Sequence, residues 1–169
     1  MRKLFVLLCC SVSLLFLVSA CENKEDNAVE IGEKFIKELY NVGNSSVDLN
    51  KMNAEQLIDK QSEFSIYFTE EEFEDLANKR FFLIPQEVGS KQNNTISVQN
   101  IKFEKYEQGQ SESESLDFNH SFTLIFTDPE GNEADKAKMK GQMTIVNTEN
   151  GLKIDRYYDG ETLKDILNR

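Results

Sequence analysis

Leu116, Phe118, His120, Phe122, Leu124 and Phe126 alternate without a break over eleven residues. A period of two places all six on one face of a strand, because successive side chains leave a strand on opposite sides. That face is too apolar for water, so the chain must build a sheet and cover one side of it. The neighbouring segments extend the pattern. Ala137, Met139, Gly141, Met143 and Ile145 form the apolar face of a following strand, with Asp128-Pro129-Glu130-Gly131 as the turn between the two. Asn150-Gly151 marks a tight hairpin into a strand over Leu152–Tyr158. Upstream, Thr95–Tyr106 is rich in strand formers, but Ile96 and Val98 lie in one alternation phase and Ile101 and Phe103 in the other. A bulge or bend near Asn100 reconciles the two phases.

The first half of the chain has the other period. Ala28, Ile31, Phe35, Ile36 and Leu39 recur at three- and four-residue spacing, with Asn27 and Glu30 placed as a capping box and Asn41–Asn44, including Gly43, as the stop. A shorter helix starts at Asn53, capped reciprocally with Gln56, and carries Leu57 and Ile58. Thr69-Glu70-Glu71-Glu72 opens a third. Its stripe holds Phe73, Leu76, Ala77, Arg80, Phe81 and Ile84, with Pro85 ending or kinking it and Arg80 as a salt-bridged anchor. Glu107–Ser115 reads as a solvated loop, and Glu161–Asn168 as a short closing helix through Leu163, Ile166 and Leu167. The fold class is therefore α+β: N-terminal helices packed on a curved, antiparallel, four-stranded meander. The aromatic stripe of Phe35, Phe73, Phe81, Phe118, Phe122 and Phe126 is its core.

From Ala28 to about Tyr158, this order of elements resembles the nuclear transport factor 2-like fold, a cone whose curved sheet wraps a long first helix. The alternative is a cystatin-like fold, which uses one helix in place of three. Relatives of the cone fold include isomerases, dehydratases and cyclases, and also scaffold parts of envelope and conjugation machinery, so the resemblance implies either a pocket or a post in an assembly.

The N-terminus constrains location. Arg2 and Lys3 precede an apolar run from Leu4 to Val18, and Ser19-Ala20 supply the small residues before a cut. Val18-Ser19-Ala20-Cys21 resembles the lipobox of bacterial lipoproteins at all four positions. The resemblance implies cleavage between Ala20 and Cys21, a diacylglycerol on the Cys21 sulfur, and anchoring that is close to permanent. The expected organisation is a signal peptide over 1–20, a short acidic tether over 21–27 and a single domain over 28–169. Cys9 and Cys10 leave with the signal, so the mature domain has no free thiol, no disulfide and no cysteine nucleophile. Residue usage rich in Lys, Glu, Asn and Ile suits a bacterium with a single membrane.

Losing residues 1–20 removes two of the 19 basic residues and none of the 30 acidic ones, moving the formal charge from −11 to −13. Such a surface repels nucleic acid and anionic lipid headgroups. The expected partners are the membrane, through the lipid on Cys21, and a protein at the cell envelope.

His120, the one histidine, shares its strand face with Phe118 and Phe122 and is expected to point inward. With Asp155, Tyr157 and Tyr40 it makes the candidate pocket set, since a histidine of ordinary proton affinity serves as a general base near neutrality. The stronger expectation is a core histidine and no catalytic residue. Asp128, Glu130, Asn132 and Asp135 gather oxygens around a turn but lack the spacing of a helix-loop-helix calcium site, so no metal and no cofactor are expected. The reading is a non-catalytic, extracytoplasmic, membrane-anchored lipoprotein with a binding or assembly role. A small-molecule binder or enzyme using His120 is one alternative, and an inhibitor of a neighbouring membrane protein is another.

Overall fold

Helix α1 is already formed at residue 24 and runs to residue 40 in a computed structural model that describes residues 24–43, 49–106, 115–160 and 163. Part of the expected tether is thus helical, and Asn27 lies inside the helix instead of capping it. The buried stripe is the expected one: Ala28, Phe35, Ile36, Leu39 and Tyr40 face the sheet, while Lys34–Glu30 and Lys37–Glu33 pairs line the wet side at 2.7 Å. Helix α2 (Ala54–Ser62) opens with the reciprocal cap read from sequence. Asn53 Oδ1 accepts from Gln56 N–H at 2.9 Å, and Gln56 Oε1 accepts from Asn53 N–H at 3.0 Å. Ile58 is not on its buried side; it is 64 % exposed.

Helix α3 (Glu70–Asn78) is shorter than its apolar stripe. Arg80 adopts a left-handed φ of 57° and ends the stripe, being exposed and without an ion pair among the described residues, so it is no anchor. Thr69 makes no side-chain cap, and its hydroxyl is buried without a partner. A 3-10 turn (Phe81–Leu83) then leads into α4 (Ile84–Gln92), where Pro85 starts a helix instead of ending one. A proline at the first helical positions loses nothing, because those N–H groups have no intrahelical acceptor.

The sheet is an antiparallel meander in the order β1 (Thr95–Lys105), β2 (Leu116–Thr127), β3 (Glu133–Thr148), β4 (Gly151–Tyr158). The β1 bulge lies where the phase change placed it. The register shifts between Gln99 and Lys102, and Asn100 takes φ 55°. The first turn is closed by Gly131 N–H donating to the Asp128 carbonyl at 3.0 Å, and the hairpin by the Thr148 hydroxyl, which donates to Gly151 C=O at 2.8 Å and accepts from Asn150 N–H.

The core lies between the helices and the inner face of this sheet. Phe35 sits edge-on to Phe68 at 4.8 Å and to Tyr157 at 5.0 Å, and Phe82 stacks on Phe64 at 5.0 Å. Phe118, Phe122 and Phe126 are buried as expected, while Phe73 and Phe81 pack at its margin. Leu163 is buried as well; the rest of the expected closing helix, the loop over 107–114, Asn44 and the N-terminal signal with Cys21 lie outside the described residues. Four helices are present among the described residues, where the cystatin-like alternative uses one.

Candidate functional site

Three of the four candidate pocket residues come together, and the fourth does not. His120, in the middle of β2, is 3 % exposed. Its ring lies parallel to that of Tyr157 on β4 at 5.2 Å, with Phe122 at 5.9 Å and Phe103 at 6.0 Å. Tyr40, in the last turn of α1, is buried against Phe122 at 5.0 Å. Asp155 is exposed. The β3–β4 register shifts between Thr144 and Ile145, so that Thr144 pairs with Arg156 and Ile145 with Ile154, and Asp155 is the unpaired extra residue. This bulge turns Ile154 and Tyr157 to the core and Asp155 to solvent. An undisturbed alternation would have put Asp155 beside Tyr157.

The acid that enters the cluster is Asp159, just beyond β4. It is buried, and its Oδ2 accepts a long hydrogen bond from the Tyr40 hydroxyl at 3.4 Å. No local signal marks it: 119 positions separate it from Tyr40, and Asp159-Gly160 reads as an exposed turn. Two glycines let the chain cross here. A Cβ on Gly141 would lie 1.9 Å from the Tyr158 carbonyl oxygen and 2.7 Å from His120 Cε1, so only glycine opposite His120 admits both the imidazole and the returning backbone. Gly160 has φ +68°, and a Cβ there would sit 2.5 Å from the Lys140 carbonyl oxygen.

Burial dominates the electrostatics of the cluster. Burial pushes the His120 imidazole down from its ordinary 6.5 to about 4, and the carbonyls of Tyr158 and Gln142 beside the ring offset only part of that. Neither ring nitrogen completes a hydrogen bond of good geometry. Burial also raises the Tyr40 and Tyr157 hydroxyls well above the usual tyrosine range, with Asp159 adding to both. The Tyr157 hydroxyl completes no well-formed hydrogen bond either, though that of Tyr40 is beside it. A histidine held neutral and enclosed by rings is not poised to take protons from a substrate near neutrality. What the arrangement does is tie α1, β2, β4 and the segment after β4 together.

A second polar contact completes the β4 side. The Glu72 carboxylate, in the first turn of α3, accepts the Tyr157 N–H at 2.7 Å. Burial raises its proton affinity and this hydrogen bond lowers it, with burial the larger effect. Its sequence neighbours mark Glu72 only as part of a capping signature, and nothing local signals a contact 85 positions away. At the other turn, the Asp128 carboxylate is engaged by the Asn132 backbone and side chain, which holds it below the usual carboxylate range. Among the described residues no three His, Cys, Asp or Glu side chains gather as metal ligands, and no helix is long and apolar enough to cross a membrane.

No protein-family model matches the chain, and no curated protein sequence matches it. Its likeness is to solved structures. A periplasmic fragment of TraM superposes with a TM-score of 0.52 at 13 % identity, over 79 % of this chain and 94 % of the fragment. The intermembrane space region of the chloroplast protein ARC6, also 13 % identical, covers 64 % of this chain and 97 % of its own with a TM-score of 0.27, too low to carry an argument. The chain thus shares an α+β fold with the TraM fragment.

Proposed function

We propose that the protein is a membrane-anchored, extracytoplasmic lipoprotein whose mature domain has the nuclear transport factor 2-like cone and works by binding or assembly at the cell envelope, without catalysis. The observation that carries this reading is Val18-Ser19-Ala20-Cys21, which stands three residues ahead of the first described residue of helix α1 and thus ahead of a folded domain without a thiol. Three residues of chain reach about 10 Å, so a lipid on Cys21 would hold the domain against the membrane. The fold shared with a periplasmic fragment agrees with an extracytoplasmic post. The sequestered, neutral His120 agrees with a scaffold more than with an enzyme.

The test is the fate of Cys21→Ser. The wild-type chain should partition with membranes at the mass of a domain that starts at Cys21 and carries acyl chains, and the variant should lose both the acyl mass and the membrane. A Cys21→Ser protein that stays in the membrane fraction at the wild-type mature mass would overturn the proposal.

A further inference from the structure

The two edges of the sheet are finished differently. On the β1 side, Val42 and Ile96 exchange backbone hydrogen bonds of 2.9 Å, and Asn41 Oδ1 accepts the Val98 N–H at 3.2 Å. That cover stops at the Asn100 bulge. The register there moves from Gln99↔Thr123 to Lys102↔Ser121, which shifts the outward-pointing amides from even to odd positions. Tyr106 N–H donates to the Asp117 carbonyl at 2.9 Å. By the alternation of an antiparallel ladder, Glu104 and Lys102 also bond to β2, and the N–H and C=O of Ile101, Phe103 and Lys105 point away from the sheet. Among the described residues nothing pairs with them. Phe103 itself packs inward beside Gly32, Phe118 and His120, while Lys102 and Glu104 stand exposed on the outer face.

The geometry points to a second copy of this chain as the occupant of that edge, with β1 pairing antiparallel to β1 about a two-fold axis at Phe103. In that register the outward amides of Phe103 meet those of Phe103 in the second copy, and Ile101 meets Lys105, each pair exchanging two hydrogen bonds. Lys102 then stands opposite Glu104 of the second copy, and Glu104 opposite its Lys102. Opposite charges directly across a ladder attract, and like charges repel. Sliding the register by two residues in either direction sets Lys102 against Lys102 or Glu104 against Glu104, so the charges select one alignment as well as one partner. Lysines that guard an edge against pairing are ordinarily unmatched; here each has its acid in a second copy. The ladder is short, running only from Ile101 to Lys105 of each copy. The pair therefore forms where copies are concentrated and separates on dilution.

The test uses full chains carrying Lys102→Cys or Glu104→Cys, co-expressed under different affinity tags and mildly oxidised. Directly opposed positions of the non-hydrogen-bonded kind bring Cβ atoms near disulfide distance. The mixed pair should give a disulfide-linked dimer joining position 102 to 104, several-fold above either variant alone and above the unsubstituted chain, which reports any background from Cys9, Cys10 and Cys21. A mixed yield no greater than the single-variant yields would overturn the proposal. Both side chains are exposed, so both variants should melt like the parent. The pairing itself needs no lipid, so at matched protein concentration Cys21→Ser should leave this link intact, and loss of either result leaves the other standing.

Discussion

Strands β1 and β4 are both edges, both carry a bulge, and are completed in opposite ways. On β4, Thr69 N–H donates to the Ile154 carbonyl at 3.0 Å, Phe68 bridges Ile154 in parallel, and Glu72 accepts the Tyr157 N–H. The bulge at Asp155 turns consecutive core residues inward, and the helical layer seals the backbone behind them. On β1 the bulge at Asn100 does the reverse: it ends the cover supplied by residues 41 and 42 and leaves charged residues beside amides that nothing among the described residues pairs. A bulge sets which side chains reach the core, and it also sets which backbone groups need a partner from elsewhere.

Three measurements would break or sharpen this contrast. The largest effect belongs to Gly141→Ala on the sealed side. Its new methyl meets backbone that has no rotamer to yield, so we expect a loss of about 4 kcal/mol or failure to fold, read by urea denaturation. A loss under about 1 kcal/mol would mean that the segment after β4 is not tightly seated on β3.

Acid should reveal His120 next. Its folded-state proton affinity is pushed down to about 4 while the unfolded value is the ordinary 6.5, so between these the unfolded chain binds a proton that the folded chain refuses. Stability from this group is complete above pH 6.5 and falls as pH falls towards 4, by about 3 kcal/mol in total. His120→Phe should lack that component in a comparison of unfolding free energies at pH 7 and pH 4.5. Equal acid losses in both proteins would place the imidazole in contact with water.

The smallest pair separates the β4 seal from its bulge. Glu72→Ala strips the Tyr157 N–H of its acceptor and should cost about 1–3 kcal/mol, whereas Asp155→Ala should stay within about 0.5 kcal/mol because the carboxylate faces solvent. The reverse order would restore Asp155 to the buried cluster and refute the register given for β4.

How much was legible follows from where apolar residues sit. The Asn100 bulge shows in the sequence because Ile96 and Val98 on one side and Ile101 and Phe103 on the other record both phases. The β4 bulge has no such record: Ile154 and Tyr157 are its only deeply buried residues, too few to declare a phase change. Likewise the α3 stripe runs through Arg80 as a pattern, yet the backbone turns left-handed there and the second half becomes α4. His120 and Tyr40 are legible because they sit on apolar stripes of their own elements, whereas Tyr157 is out of phase with Leu152 and Ile154 and reaches the core only through the bulge at Asp155. Asp159 and Glu72 are not legible, because polar residues carry no periodic signal and their partners are remote.

The sequence by itself determined that helices precede a four-stranded antiparallel meander, where its first bulge lies, that His120 points inward, and which residues form the face it shares. All of these follow from period and local turn chemistry, which short-range sterics dictate. Only the tertiary structure decided that Asp159 and not Asp155 enters the cluster, that Glu72 closes one sheet edge, and that past Asn100 the other edge has no partner among the described residues. Those outcomes depend on which backbone groups are left without partners once distant segments meet, and no local stretch of sequence holds that information.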